Sequence, residues 1–237
     1  MFLYLLLNLG SISIPLLYSF EKKMRFIKHW KAVLLSLTIV ATIFLIWDAI
    51  FTANGIWGFN PDYHINVLLL GMPIEEWLFF FCIPYASIFI HYSLEYFKPN
   101  LLISEKTTKC ITLFFIIVLV PIIFLNTHKA YTFVNYSFVV FVLMLGFLFG
   151  IKYLQRFYIS FLLILIPFFI VNGILTGTGI DEPVVWYNNA ENLGIRIITI
   201  PIEDIGYAFT MLFGNVLLVE TFKNKLLKFR TTKSSIT

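Results

Sequence analysis

Residues 71–90 have the sequence GMPIEEWLFFFCIPYASIFI, and its PIEE motif at residues 73–76 returns as PIED at residues 201–204. Each copy places a proline and two adjacent acidic side chains in a long apolar run. An apolar run of about 20 residues predicts a helix that crosses the hydrocarbon core of a membrane. Acidic pairs in two such runs therefore indicate both the class of protein and the place where its chemistry is expected.

The composition of the chain excludes a soluble globular protein. Of its 237 residues, 59% are hydrophobic and 13% are charged, whereas soluble domains carry about 25% charged residues. The chain has a net charge of +4, but its basic residues form short clusters between apolar runs, which is typical of membrane orientation rather than of nucleic-acid binding. The predicted fold class is an all-α integral membrane protein, without a nucleic-acid partner.

Charged and turn-forming residues divide the chain into seven predicted transmembrane helices. These lie at about residues 2–20, 32–51, 67–96, 110–126, 131–151, 157–175 and 196–220. With the N-terminus outside, 15 of the 17 lysine and arginine residues fall on the inner side, and only Lys129 and Arg196 lie outside. The positive-inside rule thus predicts a multi-pass protein with a cytoplasmic C-terminus, and we expect it in the plasma membrane of a bacterium.

The two proline–acid motifs belong to an internal repeat with an offset of 128 residues, which also aligns Asn60 with Asn188 and Phe59 with Tyr187. The repeat predicts two parallel three-helix units related by an axis along the membrane normal. Residues 1–109 form the first unit, residues 110–126 the linker helix, and residues 127–237 the second unit with a basic cytoplasmic tail.

The four acidic residues of the repeated motifs, Glu75, Glu76, Glu203 and Asp204, are the predicted catalytic residues. Each pair lies about eight residues inside its predicted span, where a charged side chain costs about 2.5–3.5 kcal/mol. The acids should therefore face the interior of the helix bundle and be partly protonated, as a general acid must be. A purely structural role in joining helices is the alternative, and two pairs at equivalent repeat positions favour function. The preceding prolines are expected to kink or open the helices.

The predicted substrate-binding residues surround the acids. They are Trp47, Asp48, Asn60, Trp77, Phe80, Asn188 and Tyr207. Aromatic faces in this set could stabilise a carbocation, although Trp47 and Asp48 also suit the membrane interface. The four histidines are scattered without metal-ligand spacing, and neither a G-x-G-x-x-G motif nor a P-loop is present. We therefore predict no metal and no cofactor.

These motifs resemble the lycopene cyclase domain family, which includes two-subunit bacterial cyclases and fungal fusions. The similarity rests on residues 73–80 and 201–204, on Trp47-Asp48, and on the segments 55–61 and 193–196. It implies both repeat units fused in one chain, and proton-initiated, flavin-free cyclisation of lycopene end groups. Such an enzyme would be an intramolecular lyase of the isomerase type.

The resemblance also implies a lipophilic carotenoid substrate in contact with membrane lipids. The sequence leaves open a carotenoid hydratase, a cyclase for longer carotenoids, a small-solute transporter and a non-catalytic membrane partner. The ring type, a homo-oligomeric state and the roles within each acidic pair also stay open.

Overall fold

A computed structural model of the chain describes residues 2–234, with side chains described up to residue 224. The described part contains seven α-helices: α1 (Leu3–Tyr18), α2 (Trp30–Ala53), α3 (Ile74–Phe97), α4 (Glu105–Leu125), α5 (Ala130–Phe149), α6 (Ile151–Leu175) and α7 (Glu203–Ser234). Helices α2 to α7 are each long and apolar enough to cross a membrane, and α1 is a shorter apolar helix. The predicted all-α membrane class is confirmed. Met1, residues 235–237 and the tail side chains from residue 225 onward lie outside the described residues.

Two predicted span boundaries are corrected by the structure, because α3 begins at Ile74 and α7 at Glu203 rather than at residues 67 and 196. A short hairpin precedes each helix. The first pairs β2 (Leu68–Leu69) with β3 (Met72–Pro73), and the second pairs β5 (Arg196–Ile197) with β6 (Ile200–Pro201). Apolar sequence alone does not distinguish such a hairpin from the first turns of a helix.

Backbone conformation explains the first of these hairpins. Leu70 and Gly71 have φ angles of 52° and 78°, which suits a tight hairpin turn and not a helix. Pro73 is extended, with ψ of 149°, and ends the hairpin. The prolines thus precede the helices and do not kink them. As a result, both acidic pairs lie in the first turn of a helix, where free backbone N–H groups favour negative charge.

The two repeat units are joined directly by a pair of short strands. Strand β1 (Trp57–Phe59) pairs antiparallel with β4 (Val185–Tyr187), and Gly58 lies opposite Trp186. These two residues are 128 positions apart, so equivalent positions of the two repeats face each other. The indole of Trp186 occupies the space that a Cβ atom at Gly58 would need.

The helices pack in an arrangement that follows the repeat. Helix α1 packs on α3, and α5 packs on α7 in the same way. Helices α2 and α6 each contact both α3 and α7, so the second helix of each unit also packs against the third helix of the other. Helix α4 lies against α5 and α6. The two acid-bearing helices are thereby held at the centre of the bundle.

Candidate active site

One large cavity lies beside the first turns of α3 and α7. It has a volume of about 460 Å³, is bounded by α1, α3, α6 and α7, and is covered by strands β1 and β4. Three carboxyl groups line it, those of Asp48, Glu76 and Asp204. Most of the remaining lining is aliphatic or aromatic. The second acid of each repeated pair therefore opens into a space that both repeat units share.

In the first unit, two neighbouring carboxyl groups line the cavity. The carboxyl groups of Asp48 and Glu76 both line the cavity and lie near each other. The Tyr4 hydroxyl donates to Glu76 Oε2, and the Trp57 indole N–H donates to Asp48 Oδ1 at 2.5 Å. Both acids are buried, with exposed fractions of 2% for Asp48 and 7% for Glu76. This arrangement is a desolvated acid pair with a donor on each outer side.

In the second unit, a single carboxyl group accepts three side-chain hydrogen bonds. Asp204 accepts hydrogen bonds from the Tyr131 hydroxyl at 2.5 Å, the Asn172 amide at 2.8 Å and the Tyr187 hydroxyl at 3.1 Å. Burial and the neighbouring Asp204 raise the pKa of Tyr187 well above its ordinary value, so this phenol stays a donor. Asn172 occupies the position that Asp48 holds in the first unit, and this exchange makes the two units chemically different.

The first acid of each pair points away from the cavity. Glu75 and Glu203 are fully buried. Glu75 Oε1 accepts the backbone N–H of Ile65 at 2.8 Å, and Glu203 Oε1 accepts that of Leu193 at 2.7 Å. Glu203 also accepts the Thr132 hydroxyl at 2.7 Å. These two acids hold the segment before each hairpin against the start of the following helix.

A matched pair of turns lies beside these two bonds. The backbone N–H of Asn66 donates to His64 Nδ1 at 3.0 Å, and that of Gly194 donates to Asn192 Oδ1 at 2.7 Å. Burial lowers the pKa of His64, while the nearby Glu75 acts in the opposite direction. A neutral imidazole is required for Nδ1 to accept this bond, so His64 serves here as the counterpart of an asparagine.

Comparison with protein families gives one match, to the model described as lycopene cyclase. It covers residues 1–94 and 128–222, which include both proline–acid motifs and omit the whole of α4. The chain belongs to the lycopene cyclase family. No curated protein and no solved structure matches it. The resemblance noted in the sequence is confirmed, and the family's chemistry is the cyclisation of carotenoids.

Two of the seven predicted substrate-binding residues, Asp48 and Tyr207, line the cavity of this cyclase. Trp47 and Phe80 are buried among other aromatic rings instead. The Trp77 indole donates to the carbonyl oxygen of Leu69 at 3.2 Å, within the first hairpin. The structure thus places these three aromatic residues outside the cavity lining.

The remaining two, Asn60 and Asn188, begin equivalent short 3₁₀ turns. Each accepts a backbone N–H, from Asp62 at 3.0 Å and from Ala190 at 3.1 Å. Both asparagines therefore shape the loops above the site and do not line it.

Four further tyrosine and tryptophan residues line the cavity and were not among the predicted substrate-binding residues, namely Tyr4, Trp57, Tyr131 and Tyr187. The repeat in the sequence indicates two of them, Tyr4 and Tyr131. Tyr4 and Asn8 recur as Tyr131 and Asn135, and both asparagines donate to a backbone carbonyl oxygen of the first acid, at 2.8 and 2.5 Å. Polar residues repeated in apolar helices mark the partners of the acids.

Proposed function

We propose that this protein cyclises the linear end groups of lycopene by proton transfer inside the membrane, with the Asp48–Glu76 pair as acid and Asp204 as base. The observation that carries the proposal is the meeting of carboxyl groups from both repeat units in one apolar cavity. An apolar lining suits a hydrocarbon, and a protonated carboxyl group suits a reaction that starts by adding a proton to an alkene.

We assign the proton donor to Asp48 and Glu76, because their carboxyl groups are neighbours on the cavity wall. A carboxylate can only accept hydrogen bonds, so two neighbouring carboxylates cannot satisfy each other unless one of them carries a proton. Burial also opposes the simultaneous ionisation of two adjacent acids. The pair therefore holds one proton at the cavity wall. The hydroxyl of Tyr4 and the indole N–H of Trp57 stabilise the charge that remains after that proton is donated.

The proton acceptor follows from the three hydrogen bonds to Asp204. Donors that converge on a carboxylate stabilise its anion. Asn172 and the two tyrosines can supply donors without bringing another carboxyl group. An anion facing the cavity can stabilise a cation formed there and then remove a proton from it.

The reaction balances without an oxidant or reductant. The acid protonates the terminal double bond of the end group, which leaves a tertiary cation. The neighbouring double bond attacks that cation and closes a six-membered ring, so the positive charge moves into the ring. Asp204 removes a ring proton to form the product double bond. One proton is gained and one is lost, and the net change is an isomerisation.

The walls of the cavity suit the cationic intermediate. Trp57, Tyr131 and Tyr187 lie around its covered end, with ring centroids 5.1 to 6.1 Å apart. Aromatic faces attract cations by about 0.5–2 kcal/mol each, more strongly when water is excluded. Strands β1 and β4 contribute side chains to the same end of the cavity as the acids, and such a cover would limit capture of the cation by water.

The experiment supplies lycopene to membranes that contain the protein, in D₂O, and analyses the products by chromatography and mass spectrometry. Each new ring is expected to carry one deuteron, because carboxyl protons exchange with solvent. Glu76→Gln and Asp204→Asn should each lower ring formation at least about 100-fold, the usual scale of lost acid–base catalysis. Hydroxylated products would identify a hydratase. A wild-type protein that inserts normally and forms no ring would overturn the proposal.

A further inference from the structure

The repeat generates two equivalent spaces beside the acids, and the cavity occupies one of them. The cavity lies between α1, α3 and α6, with one face of α7. The repeat-related space lies between α5, α7 and α2, with one face of α3. Apart from α4, the helices of the two units correspond in order and packing, so we expect a difference between the two spaces in the side chains that line them.

Three small side chains on the cavity side correspond to three large aromatic ones on the other. The repeat offset is 127 residues for the first helices, as in Tyr4 and Tyr131, 124 for the second and 128 for the third. The corresponding pairs are Ser11 with Phe138, Val171 with Trp47, and Ala208 with Phe80. All three small members line the cavity.

The aromatic members fill the repeat-related space. The ring of Trp47 lies 5.3 Å from that of Phe138 and 4.9 Å from that of Tyr207, measured between centroids. Phe80 extends this cluster, 6.3 Å from Phe44. Trp47, Phe80 and Phe44 are all buried. Rings packed at these distances interact favourably and leave no room for a polyene chain among them.

The open space has the shape of a channel that reaches the exposed apolar surface of the helix bundle. Its lining on α3 extends from Glu76 to Ile90, roughly 21 Å along the helix. On α1, Leu6 and Ile14 line it and are each 63% exposed. Helices α1 and α6 both pack on α3 but not closely on each other. The gap between α1 and α6 therefore connects the acids with the apolar surface of the protein.

We propose that, of these two repeat-related spaces, only the one between α1 and α6 admits the carotenoid chain, which enters it sideways from the bilayer. The inference rests on the proposed function and specifies how that site is reached. Both repeats supply acids to a single channel, so one end group reacts at a time. A carotenoid with one ring must leave and return by its other end before a second ring can form.

The first experiment transfers the aromatic residues to the open side. Ser11→Phe and Val171→Trp copy Phe138 and Trp47 and should each lower ring formation at least about tenfold. Ser13→Phe and Ile170→Trp add the same bulk on the same helices, at exposed positions that do not line the cavity. These controls should retain wild-type activity. Equal activity of the cavity-side variants and their controls would overturn the proposal.

The second experiment blocks the channel after folding, so that a folding defect cannot mimic the result. Ser11→Cys is introduced with Cys110→Ser, since Cys110 is exposed and Cys82 is buried. A benzyl thiosulfonate reagent should then inactivate the protein in membranes, and a reducing agent should restore it. The same reagent should leave Ser13→Cys active. Full activity of labelled Ser11→Cys would refute a channel at this place.

A third measurement follows the products over time. Labelled lycopene is added to the protein first, and an excess of unlabelled lycopene is added afterwards as a chase. A single channel predicts that labelled one-ring carotenoid persists after the chase. If labelled two-ring product forms without exchange of the labelled one-ring carotenoid with the unlabelled pool, both ends must react in one binding event. That result would contradict the proposal. If the wild type forms no ring at all, the proposed function fails instead.

Discussion

The separate duties of the two acids in each pair can be tested at Glu203 and Asp204. Glu203→Gln is expected to retain ring formation close to the wild-type rate, whereas Asp204→Asn should lose about 100-fold. The reason is positional. Glu203 uses Oε1 to accept two bonds, and its Oε2 has no partner among the described residues. A glutamine keeps the accepting oxygen and changes only the unpartnered atom.

The stability cost of each variant follows from the same contacts. In Glu203→Gln, an amide oxygen replaces a carboxyl oxygen as the acceptor of two bonds, which costs about 1–3 kcal/mol in total. Glu203→Ala instead leaves the Thr132 hydroxyl and the Leu193 N–H buried without an acceptor, at about 1–3 kcal/mol each. For a chain of this size, each kcal/mol lowers Tm by about 2–4 °C. The alanine variant should therefore unfold on the order of 10 °C earlier than the wild type.

The assay combines two measurements on protein in detergent and in membranes. Thermal unfolding is followed by the loss of monodisperse protein on heating, and ring formation is followed by chromatography of pigments. Glu75→Gln and Glu76→Gln form the equivalent pair in the first unit and serve as an internal replicate. If Glu203→Gln is inserted and stable yet loses activity as fully as Asp204→Asn, the first acids take part in chemistry and our reasoning is wrong.

Two further predictions concern packing and orientation. A Cβ atom on Gly146 would lie 2.6 Å from the Phe213 ring and 2.7 Å from Leu154, so Gly146→Ala should destabilise the protein by about 1–3 kcal/mol in a thermal unfolding assay. The matched control is Gly214→Ala, because position 214 has open space around it. Equal stability of the two variants would contradict the packing around Gly146. The distribution of basic residues predicts a cytoplasmic C-terminus, so a reporter joined after Lys233 should be active on the cytoplasmic side, and activity only outside would reverse the assigned orientation.

The class of protein and the burial of the repeated acids in the helix bundle were predictable because both depend on composition and repetition. Long apolar runs predict membrane helices whatever their packing, and the duplicated motif singled out Glu76 and Asp204. The beginning of α3 was not predictable in the same way. Residues 67–73 are as apolar as a helix, and only the backbone angles of Leu70 and Gly71 show that they form a hairpin.

Which acid of each pair lines the cavity could not be predicted, because adjacent residues on a helix point in directions about 100° apart and sequence does not show which direction faces the cavity. The same limit explains Trp47. It precedes Asp48, which lines the site, but its ring turns into the packed aromatic cluster. A residue next in sequence to one that lines the cavity therefore lies near the cavity without necessarily lining it.

The strand pair that covers the site also bears on how the two halves recognise each other. Gly58 and Trp186 occupy equivalent positions of the repeat, and the indole ring of Trp186 fills the space that a side chain at position 58 would occupy. Two copies of the first half would bring two glycines together and leave a hole, while two copies of the second would bring two indoles into collision. Mixed pairing is therefore favoured over self-pairing by shape alone. If the chain were divided near α4 and produced as two polypeptides, this complementarity would select the heterodimer.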